Sequence, residues 1–170
     1  MEHGTSDTTA NVAILTVSDS RLVDDDQSGA MIVESLTAAG HIVSSRKIVS
    51  DMQPMIAETI TRWADEHAIQ AIIVTGGTGP SQRDVTPDAI LPLMSSTLRG
   101  FGELFRQLSY EEIGAAAMLS RAEAGWIDTE SGRTLIFLLP GSPKAVKLAL
   151  DKLILPQLGH ILDVCSLEMN

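Results

Sequence analysis

Thr75-Gly76-Gly77-Thr78-Gly79-Pro80-Ser81-Gln82-Arg83-Asp84 directly follows the apolar run Ala71-Ile72-Ile73-Val74. The run has the length and β-branching of a buried strand, and Thr86-Pro87-Asp88 beyond the loop reads as a helix start. Three glycines in four residues strip the strand end of side chains. The backbone can then turn sharply and bring its N–H groups close to an anion. Arg83 adds a planar cationic fork suited to phosphate, and Asp84 a carboxylate for a metal or a proton. A strand, a glycine loop and a helix N-terminus in succession predict a phosphate site. The common phosphate loops do not fit. A Walker A loop ends in Gly-Lys-Ser/Thr, and this one has no lysine; the dinucleotide fingerprint needs a third glycine where Gln82 stands.

Working outward, the chain alternates. Val12–Val17 is an apolar strand ended by Ser18-Asp19-Ser20. A polar loop over 24–29 follows, with Asp26 or Ser28 available to cap a helix carrying Ile32, Val33, Leu36 and Ala39 and stopped by Gly40. Ile42–Val49 is a second strand left through Ser50-Asp51. Pro54 suits the first turn of a helix whose stripe is Met55, Ile56, Thr59, Ile60 and Trp63. The β-α-β-α-β order predicts an α/β fold, a three-layer α/β/α arrangement with a mostly parallel central sheet. Ligands of such sheets bind beyond the carboxyl ends of the strands, where the loops 18–28, 50–54 and 75–86 lie.

Further on, a helix is expected over Glu103–Leu108 within 98–113. Strands are expected over Leu119–Ile127 and Thr134–Leu139, around the turn-rich link 128–132. Pro140-Gly141-Ser142-Pro143 is a second glycine turn, opening another helix whose start favours phosphate. A last helical piece runs to about Val164. The organisation expected is a tail over 1–10, one domain over 11–164 and a C-terminal tail over 165–170.

Composition excludes several classes. The 170 residues are 44% hydrophobic with net charge −10, which argues against nucleic acid and against an anionic membrane as partner. No apolar run reaches the length of a membrane span. Cys165 is the only cysteine, so no intrachain disulfide forms and a cytoplasmic location is the simple reading. The four histidines (3, 41, 67 and 160) lack metal-ligand spacing.

Several motifs in one order resemble the MoaB/Mog family of molybdenum cofactor biosynthesis proteins. They are Gly-Gly-Thr-Gly-Pro-x-x-Arg-Asp-Val-Thr-Pro-Asp-Ala (76–89), Gly-Phe-Gly-Glu-Leu-Phe-Arg (100–106), Ser-Tyr-Glu-Glu-Ile-Gly (109–114), Leu-Ser-Arg-Ala (119–122) and Leu-Pro-Gly-Ser-Pro (139–143). The resemblance spans about Val12 to Leu162. It implies a molybdopterin-binding protein that adenylylates molybdopterin with ATP and Mg2+, and an assembly of three or six copies, with other cofactor-biosynthesis proteins as partners. It assigns Asp84, and Asp51 with it, to the metal and nucleotide. Ser18, Asp19, Thr75, Gly76, Gly77, Thr78, Gly79, Arg83, Thr86, Pro140, Gly141 and Ser142 form the expected phosphate and substrate set. Some MoaB-type members lack the loop aspartates and only bind. Here the 100–122 stretch is MoaB-like while Asp51, Arg83 and Asp84 are retained. Open alternatives remain: Arg121 serves a phosphate or a structural ion pair, Lys144 reaches a phosphate or faces water, and Tyr110, Glu111 and Glu112 lie on a helix surface or a subunit interface.

Overall fold

β3 (Ala71–Thr75) is buried over its whole length, as an apolar run without alternation requires. The computed structural model describes residues 6–166. In it β3 pairs parallel with β1 (Asn11–Val17) on one side and with β6 (Gly132–Leu139) on the other. β2 (Ile42–Val49) pairs parallel with β1, while β5 (Glu123–Thr129) and the two-residue β4 (Ser96–Thr97) add antiparallel strands beyond β6. The order is β2-β1-β3-β6-β5-β4.

Alternate residues of the central strands feed two cores, because successive side chains leave a strand on opposite faces. Val12, Ile14, Ile73, Leu135 and Phe137 pack with α1 (Gln27–Ala38), α4 (Arg99–Ile113), α5 (Pro143–Ala149) and α6 (Leu158–Ser166). Ala13, Leu15, Ile72, Val74, Ile136 and Leu138 pack with α2 (Gln53–Ala64) and α3 (Thr86–Ile90). The sheet is therefore the middle of three layers, as the alternation predicts. A single turn of π-helix (Leu150–Ile154) continues α5.

Several boundaries differ from the sequence reading. α4 runs well beyond Glu103–Leu108 because Gly100 and Gly102 do not break it. A Cβ at Gly102 would stand 2.7 Å from the Ala122 carbonyl oxygen, so that glycine lets the helix lie against the chain entering β5. Phe101 and Phe105 are then buried, with the Phe101 ring edge-on to Phe137 at 5.1 Å. The strand expected from Leu119 begins at Glu123, because Gly114–Leu119 forms a 3-10 helix. α1 ends at Ala38, which leaves Ala39 exposed rather than on its apolar face. Part of the expected tail is anchored. The Ser6 and Thr8 hydroxyls both donate to the Asp163 carboxylate on α6, and Ala10 is buried. Cys165 falls inside α6 and is half-buried against the core, not in a tail. His3 and residues 167–170 lie outside the described residues.

Candidate functional site

The parallel strands β1, β2, β3 and β6 end on one edge of the sheet, so four loops meet there: 18–22, 50–52, 76–85 and 140–142. The glycine loop is the centre of this edge. Gly76 and Gly77 take φ of +101° and +67°, a region L-residues avoid. Space forbids a side chain as well. A Cβ on Gly76 would stand 2.3 Å from the Val17 carbonyl oxygen, and one on Gly77 2.4 Å from Thr86 Oγ1. Among the described residues the backbone N–H groups of Gly77, Thr78 and Gly79 have no hydrogen-bond acceptor. Successive unpaired amides in a positive-φ turn form an anion-binding concavity.

The two glycine turns touch. Gly76 N–H donates to the Leu139 carbonyl at 3.0 Å, and Thr75 Oγ1 donates to the Pro140 carbonyl at 2.8 Å. A Cβ on Gly141 would stand 3.3 Å from Gly76 Cα. Ser142 caps α5, accepting from the Ala145 N–H at 3.3 Å. Thr75 and Thr86 are fully buried with their hydroxyls engaged; Thr86 Oγ1 donates to the Gly76 carbonyl at 2.8 Å. They shape the loop from beneath. Thr86 is also not the cap of α3 that its type suggests, since Val85 holds that position without a side-chain bond.

Carboxylates edge the cradle. Asp51 Oδ1 lies 3.5 Å from where a Gly77 Cβ would be, and Asp84 Oδ2 lies 2.7 Å from the corresponding point at Gly79. Asp84 also accepts from the Ser81 N–H at 2.9 Å. Asp19 and Asp51 bind each other's main chain: Asp19 N–H donates to Asp51 Oδ2 at 3.0 Å, and Asp51 N–H donates to Asp19 Oδ1 at 2.9 Å. Arg83 bridges to Asp19 at 3.2 Å while its side chain stays largely in solvent. Partial burial, followed by the neighbouring Asp19 charge, raises the Asp51 pKa above the ordinary aspartate range; the Asp19 N–H and the Arg83 charge oppose this without cancelling it. A bound cation would relieve the crowding that raises the Asp51 pKa. Among the described residues no three or more His, Cys, Asp or Glu side chains are disposed to hold a metal by themselves. Two carboxylates completed by phosphate oxygens and water remain a normal magnesium set.

In the single chain the residues left open stand as follows. Arg121 is structural: it pairs with Asp88 at 3.0 Å and donates to loop carbonyls. Lys144 pairs with Glu112 at 3.4 Å. Tyr110 is exposed on α4. The sequence reading overlooked Arg21 and gave Ser28 only as a possible cap. Arg21 and Ser28 donate to the Gly141 carbonyl, at 3.3 and 2.8 Å. Asp26, the actual cap of α1, is buried and accepts from Gly29 N–H, Thr16 and Arg46. Burial works against its charge, but the bonds from Arg46, Gly29 and Thr16 and the Arg46 charge outweigh it and lower its pKa. The signal in the sequence was Thr16, a hydroxyl in the midst of an apolar strand.

Residues 13–160 match the family described as "Probable molybdopterin binding domain". The chain belongs to the MoaB/Mog family of molybdenum cofactor biosynthesis proteins. It is 46% identical over 149 residues to "Molybdenum cofactor biosynthesis protein B" of Bacillus cereus, covering 87% of this chain and 86% of that protein. Against the protein of the same name in Staphylococcus aureus the identity is 47%, over 91% of this chain and 90% of the relative. Among MoaB structures, the tungsten cofactor synthesizing protein MoaB from Pyrococcus furiosus superposes with a TM-score of 0.82 at 38% identity, over 92% and 97% of the two chains. The Mog protein from Mycobacterium ulcerans gives 0.81 at 28% identity, over 94% and 99%. Membership places this MoaB/Mog chain in molybdenum cofactor biosynthesis. Among its described residues no helix is long and apolar enough to cross a membrane.

Proposed function

We propose that this chain binds molybdopterin and transfers the adenylyl group of ATP to it, releasing pyrophosphate, before metal insertion. The observation that carries the reading is the junction of unpaired amides at Gly77–Gly79 with the carboxylates of Asp51 and Asp84 on one sheet edge. A phosphate oxygen of molybdopterin forms the new bond to the α-phosphorus of ATP. The bond from that phosphorus to the bridging oxygen breaks, and pyrophosphate leaves with the electron pair. No covalent enzyme intermediate is needed, so catalysis rests on alignment and on neutralising charge.

The residues divide this work. The amides of Gly77, Thr78 and Gly79 hold phosphate oxygens, and the Pro140–Ser142 turn forms the facing wall. Asp51 and Asp84 would hold Mg2+, which when bound neutralises charge on the phosphates and the leaving pyrophosphate. Arg83, exposed and paired with Asp19, can swing onto a phosphate. A second reading, binding without transfer, is favoured by one observation: identity is higher to MoaB relatives than to the Mog protein.

The deciding assay incubates the purified protein with molybdopterin, ATP and Mg2+ and follows adenylylated product by mass. Product that depends on Mg2+ supports transfer. Tight molybdopterin binding with no product supports the second reading. We further propose that copies assemble as trimers or hexamers in the cytoplasm, covering the apolar residues Leu104, Tyr110, Ile113, Met118 and Leu119, which are more than half exposed in the single chain. Sedimentation that gives a monomer at micromolar concentration would overturn the assembly.

A further inference from the structure

Arg121 stands between the 3-10 helix Gly114–Leu119 and β5, remote in sequence from the glycine loop, yet its hydrogen-bond donors go to that loop and to α3 behind it. Its main-chain N–H donates to the Thr78 carbonyl at 2.8 Å. Nε donates to the Gly79 carbonyl at 3.1 Å, Nη2 to the Asp84 carbonyl, and Nη1 to both carboxylate oxygens of Asp88 at 3.0 and 3.2 Å. Nε and both terminal nitrogens of the fork are occupied, so Arg121 is poorly placed to hold a ligand.

The geometry has a consequence for the face opposite. A trans peptide carries its C=O and N–H in opposed directions. Drawing the Thr78 carbonyl towards Arg121 therefore turns the Gly79 N–H away from it. The peptides that carry the Gly77 and Thr78 amides are held by Thr86, whose Oγ1 donates to the Gly76 carbonyl and whose N–H donates to the Gly77 carbonyl, and Arg121 supplies the third hold. Asp84, whose carbonyl the same guanidinium holds, is fixed with them.

We propose that Arg121 is the positioning residue of the anion cradle. Its main-chain N–H sets the peptide that carries the Gly79 N–H, and its guanidinium ties the backbone at 79 and 84, and with it the Asp84 carboxylate, in place facing a phosphate-bearing substrate. This rests on reading the loop as a phosphate cradle. Lysine cannot replace it, because one ammonium cannot reach two carbonyls and a carboxylate held in a planar fork. Asp88 has a lesser part: its ion pair is half-exposed and leaves the three carbonyl bonds intact when lost.

The test compares Arg121→Lys and Asp88→Asn with the parent protein in three measurements: calorimetric affinity for pyrophosphate, amide hydrogen exchange over 76–85, and adenylylation. In Arg121→Lys, pyrophosphate affinity should fall about tenfold, in line with the loss of one charge-directed contact set. Exchange at the bonded loop amides of Ser81 and Asp84 should quicken while that of β3 and β6 stays unchanged, and kcat/KM should fall about 100-fold, the scale of a misplaced reacting group. Asp88→Asn should remain within about twofold in all three, as for a surface ion pair. Unaltered pyrophosphate affinity and loop exchange in a folded Arg121→Lys protein would overturn the proposal. Altered pyrophosphate affinity and loop exchange in Arg121→Lys, alongside a parent protein that transfers no adenylyl group, would sink the transfer reading and uphold the clamp.

Discussion

Adding one methyl group at Gly76 should cost this fold about as much as a core truncation. The φ of +101° lies beyond the left-handed well near +60°, where an L-residue already pays about 1–2 kcal/mol. The new Cβ would also sit 2.3 Å from the Val17 carbonyl oxygen. A close C···O contact needs about 3.3 Å, so the loop must retreat by roughly 1 Å. It cannot do so freely, because Gly76 N–H is bonded to Leu139 and its carbonyl to Thr86. With strain of about 1–3 kcal/mol for each held distortion, Gly76→Ala should lose about 2–4 kcal/mol. In a chain of this length that lowers the thermal midpoint by roughly 5–15 °C. Gly100→Ala is the control. Gly100 lies in α4 with no positive φ and nothing within 4 Å of its missing Cβ, so alanine there should add about 0.5–1 kcal/mol. Urea unfolding of both variants measures the pair. If Gly76→Ala matches the parent, or if both variants shift alike, the backbone account of the loop is wrong.

Asp84→Asn should abolish adenylyl transfer in a folded protein, since the amide keeps the Ser81 bond but loses the charge a metal needs; near-normal turnover refutes the role. Asp51→Asn should impair turnover while molybdopterin still binds. In a double-mutant cycle the second loss should add little to the first, because ligands of one ion do not act independently; losses that multiply would argue for separate roles. Because the Asp51 pKa is raised, protonation competes with a cation above the ordinary aspartate range: Mg2+-dependent ATP affinity should weaken as pH falls through that raised value, and Asp51→Asn should erase this limb. Asp26→Asn should destabilise by about 3 kcal/mol by leaving Arg46 without its buried partner. The sign with pH follows from its lowered pKa: the Asp26 contribution is present above the ordinary aspartate range and is lost as pH falls towards the folded value, so the variant should show a flatter acid limb in chemical denaturation than the parent.

The central layer was legible because β1, β3 and β6 are apolar runs bounded by polar turns, and such runs have one stable home in an α/β sheet. The cradle was legible because glycine is costly anywhere its freedom is unused. What escaped was long-range. Gly102 reads as a helix breaker until the Ala122 backbone is seen against it. Thr86 has the type of a cap but is spent on the Gly76 carbonyl. Arg121 offers no local pattern, because its partners at 78, 79, 84 and 88 become neighbours only through the fold. Ser6 and Thr8 look like tail residues for the same reason, their common partner being Asp163.

The strand order also sets when the site can come into being. β5 and β6 are joined by a two-residue turn at Glu130-Ser131, a contact the chain closes at once. β3 must instead find β6 in parallel register, Ala71 against Leu135, with the whole of α3, α4 and the hairpin strand between them. Contacts so distant along the chain carry the loop-closure cost that slows folding. Gly76 reaches Leu139, and Thr75 reaches Pro140, only across that last pairing. A chain emerging from the ribosome would therefore carry a finished β1-β2-β3 half with its glycine loop unsupported, and competence for phosphate would appear abruptly when β6 docks.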